Sequence, residues 1–235
     1  TNLDVSSKII ADLTGIEGFI SLTNLDCGNN QLTGLLDLSN NSALTTLRCS
    51  FNQLTSLDLS QNTALTYLDC VSNQLTSLDV SNNTALITLY CYSNQLTSLD
   101  VSNNTALTNL GCNENQLTSL DLTNNTTLIF FGCSDNQLTS LDVRNGNNEN
   151  ITFFNALNNP DLTCIYVDNV SYSNINWTNI DPASNFVVNE AECDALFTAI
   201  PDSNFELALI ELGIDTAPID GQVLTANIEV VTSLD

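Results

Sequence analysis

Between Cys70 and Val101 the chain runs through one cycle of apolar and polar residues and begins it again after 21 positions: C-V-S-N-Q-L-T-S-L-D-V-S-N-N-T-A-L-I-T-L-Y, then Cys91. Each cycle holds two short stretches of alternation. Leu68 and Cys70 fall on one side of the first, with Tyr67, Asp69 and Val71 on the other; Leu78 and Val80 oppose Ser77, Asp79 and Ser81 in the second. Alternation of period two predicts strands with one buried face. Two such strands per unit predict two parallel sheets on opposite walls of a flattened spiral.

The cycle is sustained. Cysteines stand at 27, 49, 70, 91, 112 and 133, and asparagines three residues later at Asn30, Asn52, Asn73, Asn94, Asn115 and Asn136. Upstream, Leu3 to Leu25 makes a less regular unit of 22 residues; downstream, Phe154, Ala156 and Asn159 keep the pattern. The reading is therefore about eight coils over residues 1–162. A unit this short cannot bury its own apolar face and must stack on its neighbours, which makes a solenoid.

The unit L-x-x-L-x-C-x-x-N-Q-L-T-S-L-D-L/V resembles leucine-rich repeats, most closely the 21-residue class called IRREKO, and the first coil, K-I-I-A-D-L-T-G-I-E-G-F, is similar to the internalin type. The resemblance implies a mainly β repeat solenoid, recognition or adhesion rather than catalysis, and membership of the large, repetitive proteins exported to bacterial cell surfaces. It also implies that the asparagine column bonds backbone groups at the bend after each strand.

Each ladder cysteine occupies a position where the consensus has leucine, so it reads as a small buried hydrophobe packed on the cysteines above and below. A disulfide ladder is the rival. Stacked strands lie ~4.8 Å apart, which a disulfide tolerates, but parallel Cβ vectors do not converge. A nucleophilic role is disfavoured, because the chain has no histidine to activate a thiol.

A solenoid needs covers over its ends. Residues 163–199 break the repeat and read as a C-terminal cap, with Trp177 as its anchor and Cys164 and Cys193 as a disulfide. In the chain-entropy model such a bond contributes ~3–4 kcal/mol and favours an oxidising, extracellular setting. Residues 200–235 read as a helix plus first strand, resembling the N-terminal cap of a following repeat domain. Ser203 and Glu206 suggest a capping box, Phe205, Leu209 and Leu212 an apolar face, and Gly213 the C′ position. The last four residues, T-S-L-D, nearly match the first four, T-N-L-D, and would run in register into the first coil. The expectation is one period of a tandem array whose copies meet head to tail; a circular permutation or a trimmed chain is the alternative. A D-T-A triplet at Asp215–Ala217 resembles an O-glycosylation site of some surface proteins.

Charge narrows the function classes. With 27 acidic residues against Lys8, Arg48 and Arg144, the net charge is −24, so a nucleic-acid interface lacks its basic face. No apolar run approaches the ~18 residues of a membrane span. Acid pairs abound but lie on an open ladder, so an enzyme is not expected.

Two columns remain as candidate chemistry. Asp37, Asp58, Asp79, Asp100, Asp121 and Asp142 stack on the outer face of the second sheet. Their mutual repulsion at ~4.8 Å calls for an offset: bound calcium, raised pKa values, or hydrogen bonds from neighbours such as Ser56, Ser77, Ser98 and Ser119. A flat column is not a cage of six or more oxygens, so solvated aspartates are the plainer reading and calcium the weaker. On the first sheet the outward residues vary from coil to coil and include Arg48, Tyr67, Tyr90, Tyr92, Phe130 and Phe153. These suit a polysaccharide or a surface protein as ligand, unless the rings only cover one another.

Overall fold

The structure is a computed structural model that describes residues 1–216 and 219–232. Ala217 of the D-T-A triplet and the last three residues of the terminal T-S-L-D lie outside the described residues. The chain divides into two compact units, Thr1–Phe186 and Val187–Asp235.

The first unit is a β-solenoid of stacked parallel-strand coils. Its first wall is a parallel sheet of eight three-residue strands, one per coil: Asn2–Asp4, Asn24–Asp26, Thr46–Arg48, Tyr67–Asp69, Thr88–Tyr90, Asn109–Gly111, Phe130–Gly132 and Phe153–Asn155. Register is unbroken, with Leu25, Leu47, Leu68, Leu89 and Leu110 paired in succession and all buried. The central residue of each strand, leucine in six and phenylalanine (Phe131, Phe154) in the last two, points in because its flanking residues, one position away, point out.

The second wall departs from expectation. It forms a pair at one end, Thr33–Leu36 with Gln53–Leu57, and a four-stranded sheet at the other, running Ser119–Asp121, Ser140–Asp142, Cys164–Tyr166, Asn185–Val187. Between them, Ser77–Asp79 and Ser98–Asp100 carry the same S-L-D residues as the strands at Ser119 and Ser140 and are not strands. Leu78 and Leu99 still bury their side chains. The continuous second sheet is thus replaced by two partial ones, and identical local sequence shows that place in the stack decides between them.

Each bend carries one left-handed residue. Asn29, Phe51, Ser72, Ser93, Glu114, Asp135 and Asn158 all have φ between 52 and 60°, and each immediately precedes a column asparagine. The column asparagine supplies the compensation. Asn73, typical of the set, donates through Nδ2 to the carbonyls of Cys49 (3.1 Å), Cys70 (3.1 Å) and Val71 (3.2 Å), while its Oδ1 accepts from Leu54 N (2.9 Å). Asn30, Asn52, Asn94, Asn115 and Asn136 repeat this, and Asn159 continues it. One amide thereby ties two coils together and closes its own bend.

A second asparagine column was not anticipated. Asn41, Asn62, Asn83, Asn104 and Asn125 are fully buried and donate to carbonyls of the preceding coil, as Asn83 does to Leu59 (3.1 Å) and Asn62 (2.9 Å). Their recurrence every 21 residues in S-x-N-x-A-L or its variants was the available signal.

Residues 163–186 belong to the same unit. Trp177 is buried, stacks on Phe154 with ring centroids 4.2 Å apart, and donates its indole N–H to Ile151 O. Helix α1 (Val170–Asn176) leads into it, capped by Asn169 Oδ1. Cys164 and Cys193 are disulfide-bonded, as the sequence suggested.

The second unit is small. It contains helix α2 (Glu190–Asp194), an antiparallel pair Phe197–Ala199 with Gln222–Leu224, helix α3 (Ser203–Glu211) and helix α4 (Thr225–Glu229). Ile200, Leu209 and Val223 form its buried apolar cluster. The expected capping box is not formed. Asp202 is the N-cap, accepting from Asn204 N and Phe205 N, one residue earlier than Ser203. Glu206 turns inward instead, where its buried carboxylate accepts from the amides of Asp220 and Gly221. Asp outcompetes Ser here because its fixed carboxylate reaches two orphan N–H groups at once. Gly213, at φ +70°, fills the C′ position as expected.

Candidate binding face

The outer face of the first wall gathers every aromatic residue singled out there into one connected strip. Arg48 places its guanidinium carbon 4.6 Å from the centre of the Tyr67 ring. Tyr67 meets Tyr90 edge to face at 6.2 Å and 86°, and Tyr90 meets Tyr92 at 6.5 Å and 64°. Tyr90 also reaches Phe130 at 6.5 Å, and Phe130 lies flat on Phe153 at 4.3 Å and 4°. The rings do cover one another, yet Tyr92 and Phe153 remain 37% and 38% exposed.

One glycine, Gly111, makes the reach of Tyr90 to Phe130 possible, and sequence reading passed over both it and Gly132. Tyr90 and Phe130 sit two strands apart with Gly111 between them, in register with Tyr90. A Cβ at Gly111 would stand 3.1 Å from the Tyr90 ring, and one at Gly132 would stand 2.7 Å from Asn113 Oδ1. Tyr90 can lean over the next strand only because nothing projects there. The signal was the shift from R-C, D-C and Y-C to G-C in two consecutive coils.

Electrostatics within the strip centre on Asp69, which lies in register between Arg48 and Tyr90. Burial raises its carboxyl above the ordinary aspartate value; hydrogen bonds from Val71 N (3.2 Å) and Ser50 Oγ (3.3 Å), together with Arg48, offset part of that rise. Tyr67 and Tyr92 are also shifted upward, by burial first and by the Asp69 charge second.

The aspartate column has a different architecture. Asp37, Asp58, Asp79, Asp100, Asp121 and Asp142 each accept, through Oδ1, the backbone N–H two residues on, at 2.8–3.0 Å. The acidity of Asp37 and Asp58 is strengthened by the amide and then the hydroxyl of the following serine, and that of Asp79 and Asp100 by the hydroxyl and then the amide. Their pKa values fall rather than rise, because local donors outweigh the repulsion of neighbours ~4.8 Å away in water. The donors are Ser39, Ser60, Ser81, Ser102, Thr123 and Arg144, not the serines at 56, 77, 98 and 119 expected from the sequence. Asp142 is also ion-paired with Arg144. Among the described residues no three acidic or thiol groups converge as a metal-holding set.

The interior column offers no reactive thiol. Cys27, Cys49, Cys70, Cys91, Cys112 and Cys133 are free and buried. Burial pushes Cys27 up to about 12 and the others upward as well. Cys27, Cys70 and Cys112 donate their S–H to carbonyls of the next coil at 3.4–3.5 Å.

No protein-family model and no curated protein matches the chain. Among solved structures, the internalin InlF of Listeria monocytogenes is 22% identical with a TM-score of 0.59, over 77% of this chain and 52% of its own. Internalin C2 of the same organism is 22% identical with a TM-score of 0.58, over 79% of this chain and 80% of its own. The functional domain of InlJ, also from Listeria monocytogenes and described as including a cysteine ladder, is 34% identical with a TM-score of 0.38 over 72% of this chain and 50% of its own. The chain thus spans about half the length of the InlJ and InlF structures. InlF and internalin C2 share the solenoid fold of the first unit.

Proposed function

We propose that this chain is a non-catalytic recognition module of an exported, cell-surface protein, and that it binds a protein partner across the outer face of its first wall. The observation that carries this reading is the continuous ring strip from Tyr67 to Phe153, set on an unbroken eight-stranded sheet. Rigid, half-exposed aromatics give contact area at low entropic cost, and such rings dominate interface energetics. The internalin-like fold and the disulfide support the extracellular setting, and no described helix is long and apolar enough to cross a membrane. The test is an array of random dodecapeptides probed with the intact chain and with a Tyr67→Ser, Tyr90→Ser, Tyr92→Ser variant. Binding that disappears in the variant, with its circular dichroism retained, supports the reading; the same peptides bound equally by both sink it.

A second reading, compatible with the first, is head-to-tail assembly of copies in adhesion or scaffolding. It is favoured by an apolar cavity of about 420 Å³ in the second unit, lined by Ile200, Phe205, Leu209, Ile214 and Ile228, with Phe205 and Leu207 exposed on α3 and Leu212 exposed just past its end. The first coil likewise exposes Ile9, Phe19 and Ile20. Self-association in sedimentation that Leu207→Glu abolishes supports it; a monomer at every concentration removes it.

A further inference from the structure

A protein-binding strip needs rings, and it has no need of a half-buried carboxylate among them. Asp69 is such a group, with Arg48 on one side and Tyr90 on the other in the strand register. Each of its oxygens accepts one hydrogen bond, from Val71 N and from Ser50 Oγ. A carboxylate offers about four acceptor sites, so room remains for a donor from outside. Beside it the rings of Tyr67, Tyr90 and Tyr92 stand at steep angles to one another, 86° and 64°, forming a corner rather than a flat shelf. Glu114, held by Ser93 Oγ at 2.7 Å, lies near enough to raise the Tyr92 pKa.

We propose that Tyr67, Tyr90 and Tyr92 together with Asp69 form an anchor site for an arginine or lysine side chain of the protein partner. The inference rests on the recognition reading above and names its chemistry. Ring faces carry a negative quadrupole, and a cation held over them is attracted, more strongly where water is partly excluded. This face already demonstrates the preference, since Arg48 lies over Tyr67 at 4.6 Å. Arg48 has Asp26 in register on its other side, so two carboxylates flank one cation and one negative charge is left over. A guanidinium or ammonium from a partner would complete the alternation and bond the free side of Asp69. The net charge of −24 draws basic segments in and turns acidic ones away. A neutral sugar would stack on the same rings while burying Asp69 further without a counter-charge, which is unfavourable.

The experiment is an NMR titration of the full chain with acetyl-Gly-Arg-Gly-amide, with its glutamine counterpart, and with cellohexaose, reading the ring signals of Tyr90 and Tyr92. Asp69→Asn tests the site, and Asp79→Asn removes the same charge from the opposite wall. The expected result is that the arginine peptide binds at least about fivefold more tightly than the glutamine peptide. Asp69→Asn then weakens it about fivefold or more, and Asp79→Asn less than about twofold. The proposal is overturned if glutamine peptide or cellohexaose binds as well as the arginine peptide, or if the two aspartate variants weaken binding equally. It is also overturned if no probe moves the rings while the dodecapeptide array still depends on the three tyrosines; in that case the recognition reading stands and its basic chemistry falls. Loss of that dependence on the array defeats both.

Discussion

The two walls of the solenoid invert the relation one expects between sequence and backbone. The first wall varies from coil to coil, with Asp26, Arg48, Asp69, Tyr90, Gly111 and Gly132 following one another in a single outward column, yet its sheet is unbroken. The second wall repeats L-T-S-L-D almost without change, yet its sheet is interrupted. What differs is who satisfies the backbone. On the first wall, strand pairs bond one another, so the outward side chain is free to be anything. On the second wall, carboxylates and buried asparagines take up peptide groups, as Asp79 does with Ser81 N and Asn83 with the carbonyls of Leu59 and Asn62. A side chain that must bond the backbone cannot vary.

That contrast can be broken most severely at the column shared by both walls. Asn73→Leu leaves the Leu54 amide without its acceptor, at ~1–3 kcal/mol for a buried unsatisfied group, and takes one of two donors from each of the Cys49, Cys70 and Val71 carbonyls, at a further ~0.5–1.5 kcal/mol per lost hydrogen bond. Calorimetry should show a loss of about 3 kcal/mol or more, against roughly 0.5 kcal/mol for an outward first-wall change such as Thr88→Ser. Equal losses would erase the distinction between the walls. Next in size is Cys91→Ser, which buries a hydroxyl where a thiol packs and should cost ~1–3 kcal/mol. In the unaltered chain the six ladder thiols should resist Ellman's reagent when folded and react fully in denaturant; rapid reaction of the folded form would contradict a closed interior.

Acid probes the aspartate column of the second wall. The folded-state pKa values of Asp37, Asp58, Asp79 and Asp100 lie below the ordinary 3.8, so their contribution is complete above that value and is lost as pH falls through the lowered ones. The melting temperature should therefore drop between pH 4 and pH 2 (about a few degrees), and a combined Asp58→Asn, Asp79→Asn, Asp100→Asn variant should show a shallower fall. Adding calcium to a stripped sample at neutral pH should move the melting temperature by less than about one degree, because each carboxylate is already engaged by its own turn; a larger shift would mean that cations hold the column. The smallest effect is a gain. Phe51 occupies the left-handed region at φ 54°, which asparagine tolerates better, so Phe51→Asn should stabilise by roughly 0.5–1 kcal/mol.

Legibility followed periodicity. The buried leucines, the thiol column and the first asparagine column were readable because each depends on spacing within the repeat, and the Cys164–Cys193 bond because these two cysteines alone stand outside it. The six residues of the first-wall strip were readable as variation on a constant frame, but their mutual contacts were not. Whether Tyr90 reaches Phe130 depends on the absence of a side chain at Gly111, one coil away and unremarkable on its own. The capping box failed for two reasons: Asp202 reaches the amides of Asn204 and Phe205, and Glu206 bonds the amides of Asp220 and Gly221, fourteen and fifteen residues downstream.

The sequence by itself therefore determined the coil: its length, its two inward rows, and the bend closed by an asparagine, since side-chain direction alternates wherever the chain is extended. Tertiary structure alone decided which of several identical S-L-D stretches became strands, which rings touched, and which carboxylate was left half-buried among them. Those outcomes depend on what neighbouring coils place alongside each residue, and a repeat that reads the same in every coil carries no record of its neighbours.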